Sequence, residues 1–225
     1  MKKILFSACT LELGGIEKAL VTLVNKLEEK QYDITVVLEK KQGIFLNEIN
    51  PNIKIIEYKP SENKNIIKRK IANLYKRIKF IVKYKNKFDF SACFATYSLP
   101  ASFVSRTASK NSYLWGHADY LTLFNDDEQQ MKNFFIERNY DKFKKVVFVS
   151  EEGKASFIKL FPEMKDKTLV CNNVIDDEKI QKLSNEKIDL EKDNNITTFI
   201  NVGRHEERQK KLSRLIRSRF FTKKR

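Results

Sequence analysis

Apolar residues along this chain come in short unbroken runs, most of them followed by a segment whose apolar positions recur every three or four residues. Lys3–Cys9 is such a run, as are Asp33–Glu39, Ile53–Tyr58, Phe88–Thr96, Ser112–Trp115, Lys145–Val149 and Thr168–Val174. A strand covered on both faces reads as a continuous apolar run rather than an alternating one, so these predict seven buried strands. After the first, Ile16, Ala19, Leu20, Leu23, Val24 and Leu27 fall on one helical face, through Lys30. Residues 64–87 predict a long helix with a single apolar stripe, Ile67, Ile71, Leu74, Ile78 and Ile81. Ser98–Ser109 predicts a short helix with Pro100 in its first turn, where proline is tolerated. Asn125, Asp126 and Asp127 cap a helix running towards Tyr140, and Ser150 caps another that Pro162 ends. Alternation of strand and helix gives an α/β fold with a Rossmann-like, mainly parallel sheet.

The same pattern sets the domains. Residues 1–183 read as one domain. The polar stretch 176–196 contains the linker, placed at 184–195. From 196 to 225 the chain starts a second α/β unit: an apolar run from Thr197, a turn at Gly203, basic residues on both sides, then a helix pattern and a basic tail. Strand, glycine turn and helix present backbone N–H groups and cations to a phosphate, so Arg204 and Lys210 are candidate anion ligands.

Charge adds a second feature. The formal net charge of +15 comes from two segments: residues 63–88 hold ten Lys/Arg and no Asp/Glu, and 217–225 hold five and none. The first is the long helix, whose Lys68, Arg69, Lys70, Lys76, Arg77, Lys79 and Lys83 surround the apolar stripe. A basic amphipathic helix suits an anionic membrane surface. Nucleic acid is the competing partner, and no recognition motif or basic groove pattern supports it. Cys9, Cys93 and Cys171 are an odd number without metal or disulfide spacing, and read as small buried hydrophobes in a reducing compartment. No run reaches the about 18 apolar residues of a transmembrane helix. The start Met1–Cys9 reads as a first strand rather than a signal peptide.

Candidate chemistry lies at the carboxyl ends of the runs, where open α/β sheets bind ligands. Gly14-Gly15 follows the first strand but lacks the dinucleotide G-x-G-x-x-G pattern. It reads either as a plain tight turn or as room for a close backbone approach. Trp115-Gly116-His117-Ala118-Asp119 puts His117 at a strand's end, and Asn172-Asn173 closes the last run.

In order, Gly14-Gly15-Ile16-Glu17, Trp115 to Asp119, Val149-Ser150, Val170 to Asp176 and Asn201-Val-Gly-Arg-His with Gln209-Lys210-Lys211 resemble glycosyltransferase family 4, retaining enzymes of the two-Rossmann GT-B architecture. The resemblance covers residues 1 to about 216. It implies transfer of a sugar from a nucleotide-sugar donor to an acceptor held by the first domain. Gly14 and Gly15 would admit the donor diphosphate, His117 would lie beside the reacting sugar, and Arg204 and Lys210 would neutralise the leaving diphosphate. Glu17, Asp119 and Asn173 would support the site. No cofactor or metal is expected. The basic helix fits a saccharide acceptor on a lipid carrier, in cell-surface polysaccharide synthesis at the inner face of the membrane. Two features depart from the family: Lys211 stands where glycine is usual, and its pair of donor-binding glutamates has no counterpart. The chain thus reads as a first domain and a stump of the second, inactive or nearly so by itself. A second reading is a non-catalytic acceptor-domain protein that binds membranes or a separate donor-domain partner.

Overall fold

A computed structural model of the chain describes residues 1–187, 200–203 and 211–221. They fall into two units, Met1–Ile180 and Gln181–Arg225. The seven apolar runs are seven strands: β1 (Lys3–Ala8), β2 (Asp33–Leu38), β3 (Lys54–Glu57), β4 (Phe90–Cys93), β5 (Ser112–Gly116), β6 (Lys145–Phe148) and β7 (Thr168–Val170). They form one sheet in the order β3-β2-β1-β4-β5-β6-β7 with every neighbouring pair parallel. The fold is the Rossmann-like α/β sheet that the sequence predicts.

Eight α-helices are described: α1 (Gly15–Glu29), α2 (Ile66–Tyr84), α3 (Leu99–Ala108), α4 (Tyr120–Leu123), α5 (Glu128–Glu137), α6 (Glu151–Leu160), α7 (Asp177–Ser184) and α8 (Leu212–Phe221). Their starts follow the sequence. Ser98, Asp127 and Ser150 each accept a backbone N–H at the first turn of α3, α5 and α6.

The pleat divides the core. Ile4, Phe6 and Ala8 of β1, Ile34, Val36 and Leu38 of β2, and Ala92 of β4 point to the side of α1, where they pack with Leu20, Val21 and Val24. Leu5 and Val37 point the other way, with Phe80 of α2 and Val104 of α3. Farther along the sheet, Leu114, Val146 and Phe148 meet Met131 and Phe135 of α5 and Phe157 of α6. Phenylalanines dominate that cluster, with the Phe135 and Phe157 rings 4.8 Å apart edge to face.

Several expected boundaries move. β4 stops at Cys93 instead of Thr96, because the Ser98 N–H turns back to the Ala95 carbonyl and residues 94–98 become the loop into α3. β7 stops at Val170 instead of Val174; it is the sheet's edge, and the last ladder contact beyond it is Cys171 N–H to the Phe148 carbonyl. The stretch read as linker from 176 contains α7, favoured by Asp177 and Glu178 in its first turn. The run expected as a strand from Thr197 lies partly outside the described residues. Its described part, 200–203, forms no strand, and Ile200 and Val202 are 85% and 87% exposed. A strand needs a neighbour, and no described strand pairs with these residues. The basic tail is helical through Phe221. Of the cysteines, Cys93 is buried, Cys9 half-buried and Cys171 exposed, so the last is not the core hydrophobe that its place in an apolar run suggests.

α2 has one buried side chain, Phe80, which meets Tyr58 edge to face at 5.2 Å and Tyr84 at 4.9 Å. The apolar stripe of the same helix is exposed.

Candidate functional site

Strand order reverses between β1 and β4. From β1 the chain moves outward to β2 and β3; from β4 it moves the other way to β7. At such a switch point the loops leaving adjacent strands part, and a crevice opens at their carboxyl ends. Of the sequence-predicted elements, the Gly14-Gly15 loop follows β1 and Glu17 lies in the first turn of α1, at the switch point; His117 follows β5, one strand beyond β4.

The β1–α1 loop is held from outside. Leu11 is fully buried; its N–H donates to the Gln42 carbonyl and its carbonyl accepts from Phe45 N–H, at 2.9 and 3.1 Å. Gly43 makes this possible. Its φ is +123°, and a Cβ there would run into the Leu11 backbone. Gly14 is the N-cap of α1 in extended conformation with no side-chain cap. A Cβ on Gly15 would meet no protein atom within 4 Å, so the first turn of α1 faces open space. That is the geometry a close-approaching ligand needs.

The β4–α3 loop forms the opposite wall, and sequence reading missed it by running β4 too far. Phe94 packs at 4.3 Å under the His117 ring and at 5.4 Å against Trp115. The Tyr97 hydroxyl donates to Glu17 Oε1 at 3.1 Å, linking this loop to α1 across the crevice. Ser98 bonds Glu39, which follows β2, and Thr96 bonds the Trp115 carbonyl. Arg138, after α5, braces the loop from below. Its side chain is 8% exposed and donates to the carbonyls of Thr96, Tyr97 and Phe134 at 2.7, 3.2 and 2.6 Å. Nothing in the pattern around Arg138 marks it; a basic residue after a helix reads as surface.

The electrostatics follow from burial and from the two carboxylates. Burial pushes the Cys9 thiol up to about 11, and Glu39 adds to it. Burial, then Glu17, pushes the Tyr97 phenol up as well. Both stay neutral. Burial pushes His117 down to about 4, against a smaller opposing pull from the Phe94 backbone. The His117 ring makes only a weak approach to the Phe94 backbone, short of good hydrogen-bond geometry, and Trp115 Nε1 is buried without a partner among the described residues. His117 is therefore a neutral imidazole whose hydrogen-bonding capacity is not used up by the protein.

The other candidates are placed differently. Asp119 caps α4, accepting from Leu121 N–H at 3.1 Å and the Thr122 hydroxyl at 2.6 Å. Burial pushes its carboxyl up, but these bonds and one from Ser156 outweigh it and hold it below its ordinary value. Asn173 is exposed beyond β7, four strands from β1. Arg204 and Lys210 lie outside the described residues. Among the described residues no group of three or more His, Cys, Asp or Glu is placed to hold a metal. Close packing fixes the neighbouring turn: a Cβ on Gly116 would meet the Phe148 ring at 2.8 Å, and one on Gly153 the Ala118 carbonyl at 3.0 Å.

An all-parallel Rossmann-like sheet of this order has the fold of one half of a GT-B-like architecture. Comparison with solved structures agrees. HepE of Anabaena in complex with UDP-glucose superposes with a TM-score of 0.57 at 15% identity, over 82% of this chain and 50% of that one. The same protein with UDP and glucose gives 0.55 at 16%, over 81% and 49%. A glycosyltransferase from Rickettsia africae gives 0.47 at 21%, over 81% and 48%. The chain thus spans about half the length of the solved structures it matches. No protein-family model matches the chain, and no curated protein does.

Proposed function

We propose that this chain is the acceptor-side half of a retaining glycosyltransferase of family 4, moving a sugar from a nucleotide donor to a saccharide on a lipid carrier in cell-surface polysaccharide synthesis. The observations that support the reading are the open glycine turn after β1 and a buried, neutral His117 at the carboxyl end of β5, two strands away. The UDP-glucose bound by HepE supports the class of donor.

The parts divide the work. The first turn of α1 offers backbone N–H groups to the donor diphosphate, and Gly15 leaves it space. Loss of a nucleoside diphosphate from an anomeric carbon builds negative charge, which Arg204 and Lys210 offset. A neutral His117 donates to or accepts from a sugar hydroxyl, without adding charge at the reacting carbon. Glu17 accepts from Tyr97 and Glu39 bonds Ser98, so both carboxylates are engaged on the β4–α3 side, where carboxylates and a phenol suit a hydroxyl-rich acceptor, and the Gly15 side is left to the diphosphate. Ordinary turnover needs the donor-binding glutamates of the family. The 225 residues alone are expected to bind better than they catalyse. The working place is the inner face of the cell membrane.

Trp115 is the chain's one tryptophan and packs against Phe94, the ring that also touches His117, so its emission is sensitive to changes there. Titration with nucleotide sugars and oligosaccharides is expected to shift it saturably, and Gly15→Val to abolish the nucleotide response while leaving the unfolding curve unchanged. No saturable shift with any of these ligands would defeat the reading.

A further inference from the structure

We infer that α2 lays its outward apolar stripe on an anionic lipid surface, with lysines on the stripe's flanks meeting the headgroups. The inference rests on α2 itself and stands whether or not the crevice transfers sugar.

Phe80, Tyr84 and Asn73 mark the side of α2 that meets the body: Phe80 is buried, Tyr84 packs on it, and Asn73 accepts the Ser61 N–H. The 3.6-residue period puts Ile67, Ile71, Leu74, Ile78 and Ile81 on the side away from these three. They are 70%, 63%, 58%, 52% and 36% exposed. A surface helix ordinarily turns its apolar stripe to the core and its charges to water. Here the stripe faces out along a 19-residue helix, and the charges flank it.

The charge around the stripe selects the occupant. Residues 63–88 carry ten cations and no carboxylate. A second copy would set that charge against itself. A nucleic acid would have no use for an isoleucine ridge between the cations. An anionic lipid surface supplies phosphates at the flanks and acyl chains beneath the ridge. No helix among the described residues is long and apolar enough to cross a membrane, so the contact lies in the interfacial plane.

The structure also sorts the seven cations named from sequence. The Lys76 ammonium donates to the Lys59 carbonyl at 2.7 Å, and Arg77 sits over the Phe103 ring at 5.2 Å. Lys83 lies over the Tyr84 ring at 5.2 Å, and Arg69 falls on the body side by the helical period. Lys68, Lys70 and Lys79 remain as the exposed flank of the stripe.

The test is co-sedimentation of the full 225-residue chain with vesicles of phosphatidylcholine alone, or phosphatidylcholine mixed with phosphatidylglycerol. Binding is expected to be at least roughly tenfold tighter to the mixed vesicles. Ile71→Ser, Leu74→Ser and Ile78→Ser together should abolish it; these side chains are exposed, so far-ultraviolet circular dichroism should be unchanged. Lys68→Glu, Lys70→Glu and Lys79→Glu together should lose roughly tenfold or more, and Arg69→Glu with Lys76→Glu clearly less. Equal binding to both vesicles, or a stripe variant that binds like the parent, overturns the inference. So does a wild-type dimer in sedimentation velocity that the stripe variant dissolves, or tight sequence-selective binding of nucleic acid that excludes vesicles. Loss of the Trp115 response with vesicle binding intact would sink the transferase reading and leave this one standing.

Discussion

His117 shows how one residue carries two kinds of information. Its position was legible: an apolar run ending in Trp-Gly-His places a histidine at a strand's carboxyl end. Its state was not, because neutrality comes from burial, and part of what packs on the ring, Phe94, arrives from a loop that read as strand. The state has a thermodynamic consequence. Burial holds the folded pKa near 4, against the ordinary 6.5 of an exposed imidazole. Below pH 6.5 the unfolded chain binds a proton that the folded chain refuses. Stability from this group is therefore complete above about pH 6.5 and lost as pH falls towards 4, by on the order of 3 kcal/mol. His117→Gln should flatten that part of the stability–pH curve, measured by urea unfolding at successive pH values. An unchanged slope would show that the histidine ionises freely in the folded chain.

At the scale of elements, what the sequence shows is period, and what it hides is which way a helix is rolled. α2 was legible in length and in its stripe. The packed side is set by Phe80 and Tyr84, which read as aromatics scattered among lysines; they matter because Tyr58 and Phe103 wait for them on other elements. The two sides should respond in opposite ways to the same chemistry. Phe80→Ala empties a buried, ring-lined position and is expected to cost about 3–5 kcal/mol. Ile71→Ala removes an exposed side chain and should cost less than about 0.5 kcal/mol. Chemical denaturation of both variants decides the matter, and equal losses would mean that α2 is rolled the other way. The short elements were the least legible. α7 hides in a polar stretch because its pattern offers only Ile180 and Leu183, both about half exposed. β4 was overrun because Phe94 and Ala95 are as apolar and as buried as the strand they follow.

For the whole molecule, the sheet order decides where ligands bind, and it is read from pairing rather than from residues. The seven runs imply a parallel sheet without saying that β1 lies between β2 and β4. Closure of the first unit depends on the segment after β7 returning to α1. Asp176 pairs with Lys26 at 3.9 Å, and Glu48 takes both Lys18 and Lys179. These groups line a shallow hollow of about 260 Å³ beside α1. Lys18, foremost, and Lys179 hold the Glu48 carboxyl below its ordinary value. All three partners are solvent-exposed, so the network adds little global stability. Glu48→Gln is expected to lower the unfolding free energy by less than about 1 kcal/mol while speeding tryptic cleavage after Lys179. Cleavage at the parent rate would assign the fastening of this segment to other contacts.

The all-parallel pairing also governs how the chain must be made. No strand has its partner in a hairpin, and β1 waits for a neighbour far downstream: Lys3 N–H bonds the Asp89 carboxylate, 86 residues later. At ordinary rates of synthesis that stretch takes on the order of ten seconds to emerge. Throughout that interval the apolar edge of β1 that β4 will cover is open to any other strand. Ordered emergence from the ribosome, with β2 capturing β1 from one side first, makes the nascent chain's schedule part of what protects its central strand.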